Sequence, residues 1–212
     1  MVSDVKFEYG AYDDYLKECY ERFGGILELP IVRSPYREIA SHYRKGNVLD
    51  LGAGKKKPLA EILKDRFVDG RYYSLDSDPQ GRFDFGTIEE IPADLKFDLV
   101  TANQFFEHLT VDESIDLLGK VAEHLNTGGV VVATVPNIAH PTRQISNVTH
   151  KTPWGHHSFF ALFKMAGLEP MRIVRYSKRL PRGPIEMILG HYINKIYRMD
   201  YCDSILLAAE KR

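Results

Sequence analysis

Nowhere does the sequence hold the roughly 18 consecutive apolar residues that a membrane-spanning helix needs. Residues 1–10 are polar and acidic, with no apolar stretch of signal-peptide length. Cysteine is scarce: Cys19 and Cys202 are the two in 212 residues. So few thiols exclude a disulfide framework and read as reduced cysteines of a cytoplasmic protein. An excess of one charge is missing as well. Lys and Arg number 28 against 29 Asp and Glu, a formal net charge of −1, so the overall basic character of most nucleic-acid-binding proteins is absent. There is no internal repeat and no low-complexity tract. What remains is 44% hydrophobic residues, enough for one sizeable core in a chain of single-domain length.

Along the chain, helical spacing alternates with short apolar runs. Tyr12, Tyr15, Leu16, Cys19, Tyr20 and Phe23 predict a helix over residues 11–23, closed by Gly24 and Gly25. Ser34 followed by Pro35 opens a second helix, running to about Tyr43. Residues 47–51, 71–76, 97–102, 130–135, 171–176 and 204–209 read as strands, and residues 59–67, 112–125, 158–166 and 185–197 as helices. Continuously apolar strands separated by helices argue for a parallel sheet covered on both faces.

The most informative segment is Val48-Leu49-Asp50-Leu51-Gly52-Ala53-Gly54. Glycines at the carboxyl end of a first parallel strand let the backbone turn tightly and approach a ligand. An acidic residue just before them suits a cationic ligand better than a pyrophosphate. The next strand ends in Asp76, 26 residues after Asp50, near the spacing of a carboxylate that binds ribose hydroxyls. Asp78 is a competitor for that role.

These residues resemble the first cofactor motif of class I S-adenosylmethionine-dependent methyltransferases. Further matches follow in order: Glu89-Glu90-Ile91-Pro92 with Phe97-Asp98-Leu99-Val100, then Phe106-Glu107-His108-Leu109, then residues 125–137 ending in Pro136-Asn137, then Ala166-Gly167-Leu168-Glu169. The nearest branch by resemblance is the small-molecule one that includes ubiquinone-biosynthesis O-methyltransferases. The resemblance implies an α/β fold, a Rossmann-like doubly wound, seven-stranded, mostly parallel sheet. One domain is expected, with residues 1–46 as a helical lid and residues 47–212 as the core. It implies S-adenosylmethionine as cofactor, with Asp50, Gly52 and Gly54 facing the methionine moiety and Asp76 on the ribose. Thr87 or the Ile88 amide would lie beside the adenine, and Asn103 and Gln104 would close the near side. Two departures stand out: Lys55-Lys56-Lys57 replaces the third glycine of the turn, and no acidic residue precedes Glu89 where the family carries one.

Methyl transfer to a hydroxyl or ammonium acceptor also needs a base. Four of the eight histidines, His140, His150, His156 and His157, fall after the fifth strand, with Arg143 and Trp154. The resemblance sets this segment over the acceptor site, and His150, His156 and His157 are the candidate catalytic residues. His108 reads as a structural cap. No spacing matches a zinc signature, so no metal is expected. The expected partner is a small-molecule, lipid-linked or glycan acceptor, with nucleic acid disfavoured. Between residues 164 and 198 eight Lys and Arg face two Glu, around a strongly apolar helix. That combination suits peripheral contact with an anionic membrane. The oligomeric state is not legible. The altered turn leaves a catalytically inactive methyltransferase-like scaffold as the alternative.

Overall fold

The computed structural model describes residues 9–67, 69–178 and 183–212. Seven strands form one sheet: β1 (Ile31–Val32), β2 (Val48–Leu51), β3 (Tyr72–Leu75), β4 (Phe97–Asn103), β5 (Leu125–Pro136), β6 (Glu169–Tyr176) and β7 (Ser204–Glu210), in the order β1-β6-β7-β5-β4-β2-β3. Among the described strands only β7 runs antiparallel, wedged between β5 and β6. Beyond β2 the chain moves outward to β3 and then crosses to β4 on the other side. This reversal opens a crevice outside the carboxyl ends of β2 and β4, the place where open α/β sheets bind ligands.

Strand alternation sorts the core onto two faces. Leu49, Leu51, Val100, Ala102, Val131 and Ala133 pack toward α1 (Tyr9–Phe23), α4 (Val111–His124) and α5 (His156–Met165), with Phe106, Phe159, Phe160 and Phe163 at the centre. Val48, Leu99, Val130 and Val132 pack toward α2 (Pro35–Ser41) and α3 (Pro58–Leu63) through Ile39, Ala40, Leu59 and Leu63. Near the carboxyl ends this second face turns polar, because Asp50, Ser74, Thr101, Asn103 and Thr134 share its parity.

Caps set these helices, and the sequence reading anticipated the one at Ser34. Ser34 accepts the Arg37 N–H ahead of Pro35. Thr110 caps α4, and Glu113 returns a bond to the Thr110 amide. The capping residue there is Thr110, not His108, which lies in the preceding 3₁₀ turn. Three other details differ from expectation. The helix after the glycine turn ends at Leu63. Gly128 and Gly129 lie inside β5, whose first residue follows α4 directly. The seventh strand, β1, comes from the N-terminal region and lengthens the sheet beside β6. That region therefore contributes more than helices. Its α1 is clamped to α5 and β6 by Arg22–Glu169 at 2.6 Å, Lys164–Glu169 at 3.0 Å and Lys164–Glu18 at 3.2 Å. Both cysteines are free and buried.

The last helix, α6 (Pro184–Tyr197), is unusual. It turns Asn194 inward and leaves Ile185, Ile188, Tyr192 and Ile196 exposed on one face, Ile185 at 73%. Arg179 and Arg182 of the basic stretch lie outside the described residues. Among the described residues no helix is long and apolar enough to cross a membrane.

Candidate active site

The glycine turn has the backbone that its sequence requires. Gly52 and Gly54 adopt φ of +65° and +60°, a region costly for any residue with a Cβ. Open space surrounds Gly54, whereas a Cβ on Gly52 would meet the Phe105 ring. Asp76 at the exit of β3 ties the turn down. Its Oδ2 accepts the Gly54 N–H and its Oδ1 the Asp78 N–H, each at 2.9 Å. Each oxygen keeps a second lone pair. Asp78 is differently engaged: the Gln80 amide and Lys55, 3.3 Å away, hold its carboxyl below the usual range.

Asp50 is buried, and both its oxygens are taken. Tyr72 Oη donates at 2.6 Å and Thr101 Oγ1 at 2.7 Å. Burial raises its carboxyl above the ordinary value, and these two hydroxyls oppose that rise. In turn, burial and the neighbouring Asp50 carboxylate push the Tyr72 hydroxyl up. Asp50 thus anchors β2 to β3 and β4 beneath the turn. Of the three lysines, Lys55 reaches Asp78 and Gln80, Lys57 reaches Ser74 at 2.9 Å, from where its charge favours the Asp50 carboxylate, and Lys56 is exposed.

On the β4 side, Asn103 Oδ1 accepts from Thr134 Oγ1 at 2.6 Å, and its Nδ2 donates to Tyr36 Oη at 3.1 Å. Gln104 holds φ of +54°, a strained value for a residue with a side chain. Its amide donates to the Thr134 carbonyl at 3.0 Å, which holds it there. Thr87 is exposed and Ile88 buried at the start of a 3₁₀ turn, Ile88–Glu90.

The three candidate catalytic histidines separate. His156 and His157 open α5, and the Nε2 of each lies 3.3 Å from the Gly24 carbonyl of the N-terminal region. Burial, with His157 beside it, lowers His156 to about 4. His150 instead meets His108, ring centroids 5.1 Å apart, beside Glu107. Pro136-Asn137 ends β5 with a satisfied buried amide: Asn137 donates to Asp200 and Cys202 and accepts from Ala139. A cavity of about 410 Å³ opens between the ends of β5 and β6, the start of β7 and α6. His140, Arg143, Lys178, Glu186 and Asp203 line it together with Leu189, Ile193 and Tyr201, and Arg143 is paired to Asp203. Sequence reading missed this cavity, since its walls come from four separate segments.

The strand reversal, the positive-φ glycine turn and the carboxylate just past the following strand stand together where the sequence resemblance sets the cofactor. Comparison with protein families matches the methyltransferase domain over residues 20–170. The chain belongs to that family. Its cofactor is S-adenosylmethionine. A comparison with curated proteins returns no match. Among solved structures, the methyltransferase is similar in fold to an S-adenosylmethionine-dependent methyltransferase from Archaeoglobus fulgidus, with TM-score 0.64, 18% identity, and 93% and 100% of the two chains covered. One from Clostridium acetobutylicum gives TM-score 0.56 at 12% identity over 97% and 93%. Geranyl diphosphate C-methyltransferase from Streptomyces coelicolor, solved with Mg²⁺, geranyl diphosphate and S-adenosylhomocysteine, gives 0.57 at 14% over 84% and 79%. The residues of the crevice fit the cofactor. Gly54 leaves room, Asp76 keeps free lone pairs, Lys55 and Lys57 are held by other partners, and Lys56 is exposed.

Proposed function

We propose that the enzyme methylates an amphipathic, lipid-linked acceptor that enters the cavity beside α6, working from the cytoplasm at a membrane surface. The cavity carries this reading. It places the charged side chains Arg143, Lys178, Glu186 and Asp203, with Arg143 paired to Asp203, beside Leu189, Ile193 and Tyr201, a combination suited to a polar head on an apolar body. Geranyl diphosphate, held by the Streptomyces enzyme, has that same two-part chemistry. The outward apolar face of α6 supports delivery from a lipid surface, and the basic residues around it favour an anionic one. The reading stays within the small-molecule branch that includes the ubiquinone-biosynthesis O-methyltransferases.

When bound, S-adenosylmethionine supplies a methyl group already activated on sulfonium. The protein's task is to orient and to exclude water. Asp76 accepts the ribose hydroxyls, Gly52 and Gly54 give the backbone approach, and Asn103 and Gln104 close the β4 side. Asp50 holds the turn in shape from below. Thr87 and Ile88 border the adenine. Of the loop histidines, we assign the acceptor-side role to His150, because His156 and His157 are turned to Gly24. Incubation with methyl-labelled cofactor and fractionated polar lipids tests the reading. Label entering an anionic lipid fraction, and falling about a hundredfold or more with His150→Ala, is the expected result. Label appearing only in water-soluble sugars or phenols overturns the lipid assignment.

A further inference from the structure

Glu107 follows β4 and has no place in the cofactor crevice. It is 1% exposed, and its Oε2 has no hydrogen-bond partner among the described residues. Burial pushes its carboxyl up to about 7. A buried acceptor without a donor is costly and calls for a proton, a water or a cation. Two half-buried histidines stand beside it: His108, next in sequence, and His150 from the loop after β5. One ligand-capable atom of each of the three residues lies within 4.8 Å of the other two.

The hydrogen bonds fix the tautomers. His108 Nδ1 lies 3.0 Å from Thr149 Oγ1 and 3.3 Å from the Thr149 carbonyl. Thr149 Oγ1 already donates its proton to Asn147 Oδ1 at 2.9 Å, so both contacts need a proton on His108 Nδ1. His150 Nδ1 lies 3.0 Å from the Gln144 carbonyl, which likewise only accepts. In each neutral ring Nε2 therefore keeps its lone pair. A histidine that donates one ring N–H to a carbonyl and presents the other nitrogen is arranged as metal-bound histidines are. We propose that Glu107, His108 and His150 bind a divalent transition-metal ion, with Zn²⁺ the best match to two imidazoles and one carboxylate. The ion partners the otherwise orphaned Glu107 oxygen. Three protein ligands leave a position open for water or an acceptor oxygen, so His150 acts on the acceptor through the ion. The metal site itself stands independently of the lipid-acceptor reading, because it needs neither cofactor nor acceptor.

The test uses the full chain, stripped with chelator and titrated with Co²⁺ and then Zn²⁺ alone. One equivalent is expected to bind saturably, with visible Co²⁺ absorption that Zn²⁺ abolishes, and Zn²⁺ is expected to raise the melting temperature. Glu107→Gln, His108→Ala and His150→Ala are each expected to weaken binding by about a hundredfold or more. His191→Ala, an exposed histidine of α6, leaves it unchanged. Unperturbed circular dichroism and melting of metal-free His108→Ala and His150→Ala show that the fold survives, as their partial exposure predicts. Absence of saturable binding to the wild type overturns the proposal. So does binding that persists in His108→Ala and His150→Ala, which would place the ion elsewhere.

Discussion

A Cβ on Gly52 would lie 2.5 Å from Cδ2 of Phe105, so the ring after β4 rests directly on the glycine turn after β2. Gly54, two residues on, has the same left-handed backbone and nothing within 4 Å of such an atom. The two glycines therefore separate steric from conformational cost. Gly54→Ala pays backbone strain alone, about 1–2 kcal/mol. Gly52→Ala pays that strain and must also displace Phe105. Chemical denaturation of both variants is expected to show the larger loss at Gly52, and Phe105→Ala is expected to recover part of it in the double variant. Equal losses at the two positions would contradict the contact.

His156 gives a pH dependence of stability. Burial lowers it from 6.5 to about 4 in the folded protein. Above pH 6.5 the ring is neutral whether folded or unfolded. As pH falls from 6.5 toward 4, the unfolded chain takes up a proton that the folded one resists, and stability drops. The loss approaches roughly 3 kcal/mol near pH 4, taking about 1.4 kcal/mol per unit. His156→Asn should flatten this part of the profile when urea unfolding is compared from pH 7 to pH 4. An unchanged slope would show that His156 is solvated in the fold.

The legibility of the chain followed the length and regularity of its signals. Val48–Leu51 and Val130–Val135 are short, mostly apolar runs, and Ser34 with Pro35 is a local cap, so those elements could be read directly, whereas the Thr110–Glu113 capping box was missed. Ile31–Val32 could not, because two residues show no alternation and their pairing partner is Arg175–Tyr176. The glycines of the turn and Asp76 were legible because their backbone demands and spacing are local. Asp50 was legible as part of the motif, but its hydroxyl partners Tyr72 and Thr101 depend on strand register. His150 diverges from His156 and His157 for the same reason. Gly24, which faces the latter pair, is 132 and 133 residues away. Glu107 was legible only as part of the Phe106–Leu109 motif, and packing alone shows that one of its oxygens is orphaned.

The outward face of α6 is expected to bind anionic vesicles. Co-sedimentation with phosphatidylserine vesicles at low salt should capture the protein, and Ile188→Asp with Ile196→Asp should release it. Raising the salt should weaken capture without abolishing it, because screening removes only the electrostatic share. Absence of capture at low salt, together with a concentration-dependent dimer lost in the double variant, would instead assign this face to a second copy of the chain.

The central claim is that the crevice between β2 and β4 binds the cofactor through Asp76. Calorimetric titration of S-adenosylhomocysteine into the wild type and Asp76→Ala tests it most directly. The account predicts saturable one-to-one binding of the wild type in the micromolar range. It predicts at least a tenfold loss, about 1.4 kcal/mol, in Asp76→Ala, which removes the ribose acceptor and the tether to Gly54. Wild-type protein that takes up no ligand, or an Asp76→Ala variant that binds as tightly as the wild type, would contradict it.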